Sequence, residues 1–313
     1  MERKHEKYER LIAHCKAILP TTTAVAHPCD ESSLRGAVEA AEMGILQPIL
    51  VGPRAKIEAV AAQCQLDISK YELVDAPHSV AAAEMAVQLA REGRAEMLMK
   101  GSLHTDELMA AVVRSGTGLR TARRISHAFI MDVPSLDRAI IVTDAAINIF
   151  PTLKDKMHIV QNAIDLAHAL GMPQPKVAIL SAMETVNPDV PSTVEAAALC
   201  KMADRKQITG GLLDGPLALD NAIDLNAAKI KKIDSPVAGM ADILVAPDLE
   251  AGNMLAKSLS FMANADAAGI VLGARVPIIL TSRADSVMTR LASCAVAALV
   301  AQSRRENAGK VTS

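Results

Sequence analysis

The strongest constraint on the fold is an alternation of short apolar runs and amphipathic stretches in the first third of the chain. Such alternation is typical of strand–helix–strand units, which form a mostly parallel sheet covered by helices. Gly44 and Gly93 follow two of the amphipathic stretches, at the position where a glycine often ends a helix. The predicted strands are 23–26, 48–51, 72–74 and 97–99, and the predicted helices are 31–43, 54–64 and 79–92.

The pattern changes near residue 126. Two strand-like runs, 128–133 and 138–143, are separated only by residues 134–137, and so short a connection predicts an antiparallel hairpin. A hairpin inside an alternating chain predicts a second α/β domain inserted into the first. We predict one domain from 1–126 plus 275–313 and another from 127–274. The later predicted helices are 154–170, 192–202, 249–262 and 287–300, and the later predicted strands are 177–180, 243–245, 270–272 and 278–280.

Composition excludes several classes of function. Half of the residues are hydrophobic, but aromatic residues make up 2% and tryptophan is absent, so we expect a core of Ala, Val, Ile, Leu and Met. A net charge of −2 and so few aromatic rings argue against nucleic-acid binding. Five scattered cysteines argue against a zinc site and for reduced thiols in the cytoplasm. No apolar run approaches the ~20 residues of a membrane span.

One polar turn lies before the last predicted helix. Ser282, Arg283 and Asp285 stand between the apolar run 278–280 and the helix 287–300. The N-terminus of a helix favours an anion, and a guanidinium adds a planar pair of donors. This turn predicts a site for a small anionic substrate. The alternative is that Asp285, or the serine after it, only caps the helix and that Arg283 lies on the surface.

A second polar turn follows the strand 97–99. Lys100, Ser102 and Thr105 stand there, and ligands of open α/β sheets bind beyond the carboxyl ends of the strands. The chain contains no Walker A pattern, so ATP hydrolysis of that type has no support. The turn is therefore a candidate ligand site. The alternative is that Thr105 caps the next helix.

Three further groups could touch a ligand. Arg123, with its neighbours Arg120 and Arg124, could bind a polyphosphate such as the nucleotide end of coenzyme A, or only solubilise a loop. Residues 210–216, which include Asp214, are predicted as a glycine-punctuated loop that either approaches a ligand or makes tight turns. Asp220 and Asp224 are one helical turn apart and either share a divalent metal or lie on a solvated face.

Four motifs occur together in one order: 99–105, 126–131, 213–217 continuing to Asp220, and 281–283. With these motifs the chain resembles the phosphate acetyltransferase and phosphate butyryltransferase family over nearly its whole length. The resemblance implies an α/β fold of two domains with a central cleft, as in isocitrate and isopropylmalate dehydrogenases. It also implies an enzyme that moves an acyl group between acyl-CoA and inorganic phosphate, with no metal and no organic cofactor.

The resemblance implies roles for particular residues. The serine of the Ser-Arg pair interacts with the thiol, the arginine interacts with phosphate or developing negative charge, and a downstream acid acts as base. Ser282 and Arg283 match this pair, but the acid expected seven positions beyond the serine falls on Thr289. Asp285 is the nearest carboxylate. The residues expected to bind substrate are Lys100, Ser102, Thr105, Arg123, Asp214 and Asp220.

Several alternatives stay open. Acetyl-CoA is the expected substrate and butyryl-CoA the alternative, because the two differ by methylenes worth only about 1–3 kcal/mol each. A metal- and NAD-dependent β-decarboxylating dehydrogenase would use Asp220 and Asp224 as ligands, but the chain shows no nucleotide-binding loop for it. A non-catalytic acyl-CoA-binding module is a third hypothesis. We expect a cytoplasmic homodimer or higher homo-oligomer, with 287–300 and 249–262 either forming its interface or being buried within one chain.

Overall fold

The computed structural model describes residues 6–280 and 285–311. It confirms the predicted α/β class. The contacts divide the chain into two compact units, Met1–Arg123 with Ala268–Ser313, and Arg124–Ala267.

The described elements are given in chain order. The strands are β1 (Thr21–Ala26), β2 (Leu46–Gly52), β3 (Glu72–Asp75), β4 (Met97–Lys100), β5 (Ser126–Asp132), β6 (Ile140–Thr143), β7 (Lys176–Leu180), β8 (Leu212–Leu217), β9 (Ile243–Val245), β10 (Asp266–Leu272) and β11 (Ile278–Ile279). The helices are α1 (Glu6–Cys15), α2 (Glu31–Glu42), α3 (Arg54–Gln63), α4 (Ser79–Arg91), α5 (Thr105–Val113), α6 (Leu153–Ala169), α7 (Pro191–Asp204), α8 (Leu219–Ile223), α9 (Leu225–Ile230), α10 (Leu249–Met262) and α11 (Val287–Val311).

In the first unit the strands lie in the order β3-β2-β1-β4-β11-β10. All neighbours are parallel except β10, which runs antiparallel to β11. The parallel sheet predicted from the alternation is confirmed. So are two predicted helix ends, because Gly44 and Gly93 have φ angles of 74° and 76° just after α2 and α4. Because β1, β2, β4 and β11 are parallel, their carboxyl ends lie at one edge of the sheet.

The last helix, α11, is longer than predicted and packs against α1, which the charged N-terminal sequence did not suggest. The residues of α11 from Cys294 to Ala301 are buried. The sequence left open whether the segment 287–300 forms an oligomer interface or is buried within one chain. The part of it from Cys294 onward is buried within the chain. The exposed end of α11 is tied to the unit by Arg305, whose guanidinium lies 2.8 Å from the Glu96 carboxylate.

In the second unit the strands lie in the order β5-β6-β9-β7-β8. The predicted hairpin is confirmed, because β5 and β6 are antiparallel, with Ala128 opposite Thr143 and Met131 opposite Ile140. The other neighbouring pairs are parallel. The core of this unit is aliphatic and includes Met131, Val142, Ala178, Val237 and Leu244.

The prediction of a loop over residues 210–216 is wrong for most of these residues, because β8 begins at Leu212. Glycine and proline suggested a loop, but among the described strands β8 pairs with β7 alone and ends the strand order. An edge strand tolerates Pro216, since one side of its backbone needs no ladder hydrogen bond. Gly215 allows close packing there, because a Cβ at this position would lie 2.8 Å from the Ile179 carbonyl oxygen.

Candidate active site

Lys100 is the last residue of β4 and lies at the carboxyl edge of the first unit's sheet. Its backbone is opposite Ala26, the last residue of β1, and on the other side of β4 Ile279 is opposite Met99. The Lys100 side chain is only 7% exposed, and its Nζ lies 3.3 Å from the Gly101 carbonyl oxygen. A largely buried ammonium group at this edge is suited to hold phosphate oxygens.

Gly101 lets the turn after β4 press against the turn after β1. A Cβ at this position would lie 2.5 Å from the His27 carbonyl oxygen and would also overlap the Ala26 carbonyl. The Gly101 N–H donates to the Ala26 oxygen at 2.9 Å. The glycine is therefore required by close approach of two backbones.

Ser102 joins the same two turns through its side chain. Its Oγ donates to the His27 carbonyl oxygen at 2.8 Å and lies 2.9 Å from His27 Nδ1. The same oxygen accepts from the Cys29 N–H at 3.3 Å. Ser102 thus fixes the strand-to-helix turn that precedes α2 to the one that precedes α5.

Thr105 is the first residue of α5 and is exposed. The helix begins at His104, whose N–H donates to the Glu107 carboxylate at 2.8 Å. Hydrogen bonds from the Ser79 hydroxyl and from this N–H lower the pKa of Glu107. His104 and Glu107 therefore start the helix, and the alternative in which Thr105 is its cap does not hold.

Two titratable side chains at this edge are neutral near pH 7. Burial, with a smaller contribution from Lys56, lowers the pKa of His27, so its imidazole is neutral near pH 7. Burial raises the pKa of Cys29 to about 11, so its sulfur stays a thiol. The Lys100 ammonium is thus a positive charge beside two neutral side chains, while the carboxylates of Asp30 and Glu107 also act on His27.

The predicted catalytic pair, Ser282 and Arg283, lies outside the described residues. Asp285 is described, and it lies just before the residue that caps α11. The cap is Ser286, whose Oγ accepts from the Thr289 N–H at 3.1 Å and whose carbonyl accepts from the Arg290 N–H at 3.1 Å. Ser286 therefore fills the capping role that the sequence left open between it and Asp285.

Arg123 is exposed at the end of the first unit. Its N–H donates to Thr121 Oγ1 at 3.0 Å, and the Thr121 hydroxyl donates to the Gly273 carbonyl oxygen at 2.7 Å. These bonds hold the backbone of the arginine segment within its unit.

In the second unit, Asp144 follows β6 and is only 3% exposed. Its carboxylate accepts from the N–H groups of Ala146 at 2.9 Å and Ile147 at 3.0 Å, and from Asn148 Nδ2 at 2.5 Å. The Asn148 Oδ1 in turn accepts from Arg124 Nε at 2.7 Å. A buried carboxylate is thereby linked through an amide to an exposed guanidinium.

The predicted acidic residues of the second unit have separate partners. Asp214 lies on β8 and accepts from the Gly215 N–H at 2.8 Å. Asp220 is exposed, with an oxygen 3.7 Å from Lys231 Nζ. Asp224 caps α9, accepting from the Ala227 N–H at 2.8 Å. This pairing gives no support to Asp220 and Asp224 as joint metal ligands.

Neither a metal-binding cluster nor a membrane-spanning helix is present in the described part of the chain. Within 6–280 and 285–311, no group of three or more His, Cys, Asp or Glu side chains is arranged to hold a metal ion. None of the helices in that part of the chain has both the length and the apolar character needed to span a bilayer.

Comparison with known proteins decides the family. Residues 79–298 match the family described as "Phosphate acetyl/butaryl transferase". The chain is 69% identical to the phosphate acetyltransferase of Rhizobium meliloti over 299 residues. These aligned residues cover 96% of this chain and 95% of the relative. The chain belongs to this family. The resemblance drawn from the four motifs is confirmed.

Two other members of the family are also similar. The phosphate butyryltransferase of Clostridium beijerinckii is 43% identical over 296 residues, covering 95% of this chain and 98% of the relative. A solved structure of a branched-chain phosphotransacylase from Enterococcus faecalis V583 matches with a TM-score of 0.79 and 31% identity, covering 90% of this chain and 99% of that one. The comparisons give no support to a dehydrogenase.

Sequence reasoning missed two residues at the strand ends of this phosphate acetyl/butyryl transferase family member. His27 follows β1, and Asp144 follows β6. Both stand where a buried strand gives way to polar residues, which is the signal that singled out Lys100 and Ser102.

Proposed function

We propose that this protein transfers an acetyl group reversibly between coenzyme A and inorganic phosphate. The observation that carries the proposal is 69% identity to a phosphate acetyltransferase over nearly the whole of both chains. Butyryl transfer is the second candidate, and the 43% identity to a phosphate butyryltransferase favours it.

The reaction explains why the site needs cations and N–H donors. A phosphate oxygen attacks the thioester carbonyl, a C–O bond forms and the C–S bond breaks. The proton of hydrogen phosphate passes to the departing thiolate, which leaves acyl phosphate and coenzyme A as products. Phosphate, the tetrahedral oxyanion and the thiolate are all negative, so fixed donors stabilise the transition state. No covalent acyl-enzyme is needed.

The catalytic roles are assigned by motif. Arg283 and the N-terminus of α11 bind phosphate, Ser282 interacts with the thiol, and Asp285 acts as base in the reverse direction. The last role is supported by sequence position, because Asp285 is the carboxylate nearest to the Ser-Arg pair. The expected acid position, Thr289, accepts a hydrogen bond from the Ser286 hydroxyl at 3.1 Å and carries no carboxylate.

The substrate-binding roles divide by charge. Lys100, Thr105 and Arg123 bind phosphate oxygens of the substrates, and the buried Lys100 at the carboxyl edge of the sheet supports this. Ser102, predicted as a fourth binding residue, contributes by fixing the turn that carries Lys100, because its hydroxyl and its N–H both donate to the His27 carbonyl oxygen. In the second unit, Asp214 and Asp220 accept hydrogen bonds from donors of the substrate. We propose that no metal and no organic cofactor take part.

We further propose two domains around a central cleft, as in isocitrate and isopropylmalate dehydrogenases, and a cytoplasmic homodimer. The exposed apolar side chains of α10 support an interface there, since Met254, Phe261 and Met262 are 61%, 82% and 84% exposed. Light scattering tests this: Phe261→Asp should yield monomers, and an unchanged mass for the variant would exclude this face.

The function is tested by phosphate-dependent release of thiol from acetyl-, propionyl- and butyryl-CoA side by side. We expect release with phosphate only, fastest from acetyl-CoA. Fastest release from butyryl-CoA would favour the second candidate. Binding of acyl-CoA without release from any of the three would identify a non-catalytic module, and NAD reduction that requires magnesium would identify a dehydrogenase.

A further inference from the structure

His27 has an unusual backbone conformation for its residue type. Its φ angle is 54°, in the left-handed region, where residues other than glycine are uncommon. A side chain there costs on the order of 1 kcal/mol, so the surrounding bonds must hold the residue in place.

Those bonds tie His27 to the ends of two neighbouring strands. Its N–H donates to the Val51 carbonyl oxygen at 2.7 Å, near the end of β2. Its own carbonyl accepts from the Ser102 N–H at 2.9 Å and from the Ser102 hydroxyl at 2.8 Å, beyond the end of β4. One residue thus links the carboxyl ends of three parallel strands, β1, β2 and β4.

The imidazole adds a bond that fixes the serine side chain. Ser102 Oγ has one proton, and the His27 carbonyl oxygen at 2.8 Å takes it. The contact of 2.9 Å between Ser102 Oγ and His27 Nδ1 then requires the ring nitrogen to donate. This fits a neutral ring with its proton on Nδ1, and burial, which lowers the pKa of His27, favours the neutral form.

We propose that His27 is a positioning residue for the phosphate-binding turn of residues 100–102. Its Nδ1–H and its carbonyl hold Ser102, and this fixes the backbone that carries Lys100 toward phosphate oxygens. The proposal rests on the proposed function for the identity of the ligand. Inorganic phosphate and the phosphate groups of coenzyme A share the chemistry that Lys100 recognises, and the kinetics distinguish them.

Two substitutions separate the ring from the backbone. His27→Gly removes the ring and relieves the left-handed conformation, so it tests the side chain without adding backbone strain. His27→Asn keeps an N–H donor attached to Cγ, as in the histidine, and asparagine tolerates this region. Lys206→Gly is the control, because Lys206 also has a left-handed φ of 60° but is exposed just beyond α7.

The first measurement is the KM for phosphate and the KM for acyl-CoA, each with its kcat. Loss of one hydrogen bond predicts that His27→Gly raises one of the two KM values about 3- to 10-fold, with little change in kcat. The KM that rises identifies the ligand of Lys100. His27→Asn and Lys206→Gly should behave as the wild type. Equal KM values in all variants, a fall in kcat alone, or an asparagine variant as impaired as the glycine variant would each overturn the proposal.

A double-mutant cycle tests whether His27 acts through Ser102. In a Ser102→Ala background, His27→Gly should cause little further rise in KM, because the bond it removes is already gone. Additive effects of the two substitutions would show that the histidine acts by another route, and the proposal would be wrong.

The second measurement does not depend on activity. Hydrogen exchange of the Ser102 amide should be faster in His27→Gly than in the wild type and unchanged in His27→Asn. If the wild-type enzyme shows no phosphate-dependent turnover, the proposed function fails, while exchange still decides the positioning role. Unchanged exchange in the glycine variant overturns that role whatever the activity.

Discussion

The turn after β4 and the turn after β6 are each organised by one polar side chain, but they differ in the charge that they present. In the first unit, Ser102 ties the turn together while Lys100 supplies a cation beside a neutral imidazole. In the second unit, the Asp144 carboxylate is surrounded by N–H donors from its own loop.

The difference suggests what each turn does. The hydrogen bonds of Ser102 fix a turn that carries a cation, whereas a carboxylate that accepts three or more N–H groups is satisfied within its own loop. We therefore expect loss of the organising side chain to alter substrate binding at Ser102 and mainly stability at Asp144.

The largest expected effect is that of Gly101→Ala. The new Cβ would overlap the Ala26 and His27 carbonyl groups, and the backbone must shift. We expect a loss of more than about 3 kcal/mol in the free energy of unfolding, measured by urea titration. Gly44→Ala is the control, because it has a φ of 74° with nothing within 4 Å of a Cβ, and should cost about 1 kcal/mol. Equal losses would contradict the tight contact between the two turns.

Asp144→Ala should come next, with a loss of about 2–4 kcal/mol of stability. The substitution leaves the N–H groups of Ala146 and Ile147 and the Asn148 amide without their buried acceptor. Ser102→Ala is the matched change in the other turn and should cost about 1 kcal/mol while raising a KM. A smaller stability loss for Asp144→Ala than for Ser102→Ala would reverse the comparison.

The buried histidine beside Asp144 gives the second turn a pH dependence. Burial lowers the pKa of His127, with Asp144 acting in the opposite direction. The imidazole of His127 therefore binds a proton more readily in the unfolded chain than in the folded one. Burial of the neutral ring contributes its full stabilisation above about pH 6.5, and this stabilisation is lost as the pH falls below that value.

His127→Phe removes this titration and keeps a ring against Phe129. Between pH 6.5 and pH 5 the wild type should lose stability more steeply than the variant, by up to about 1.4 kcal/mol per pH unit. Urea titrations at several pH values measure both slopes. Parallel slopes would mean that His127 does not titrate differently on folding.

The smallest expected effects lie at the acidic pair of the second unit. Asp224→Ala should cost about 1 kcal/mol through loss of the α9 cap. Asp220→Ala should cost less than about 0.5 kcal/mol, because its ion pair with Lys231 is exposed. Asp224→Ala should leave transferase kcat unchanged. Loss of activity that magnesium restores would instead support the metal-dependent alternative.

Local signals explain what the sequence predicted well. The ends of α2 and α4 follow from glycines at left-handed positions, and the β5–β6 hairpin follows from a connection of residues 134–137. The strand β8 was mistaken for a loop because its place at an edge is set by tertiary pairing, which glycine and proline content does not reveal.

The site could be predicted only in part for the same reason. Lys100 and Ser102 were singled out because they follow a strand directly. The role of His27 depends on the order β2-β1-β4 and on a left-handed backbone, which no short motif encodes. Asp144 was missed because aspartate is usually exposed. Its burial depends on hydrogen bonds from the N–H groups of its own loop, which offset the loss of hydration of the carboxylate. The predicted roles of Ser282 and Arg283 stay predictions, since both lie outside the described residues.

The central claim is transfer of an acyl group to phosphate. The most direct test measures free coenzyme A and acyl phosphate in the same reaction of acetyl-CoA with phosphate. The account predicts one acyl phosphate for every thiol released, no release without phosphate, and a rate about 10²–10³-fold lower for Arg283→Ala. Thiol released without acyl phosphate, or at the same rate without phosphate, would contradict it.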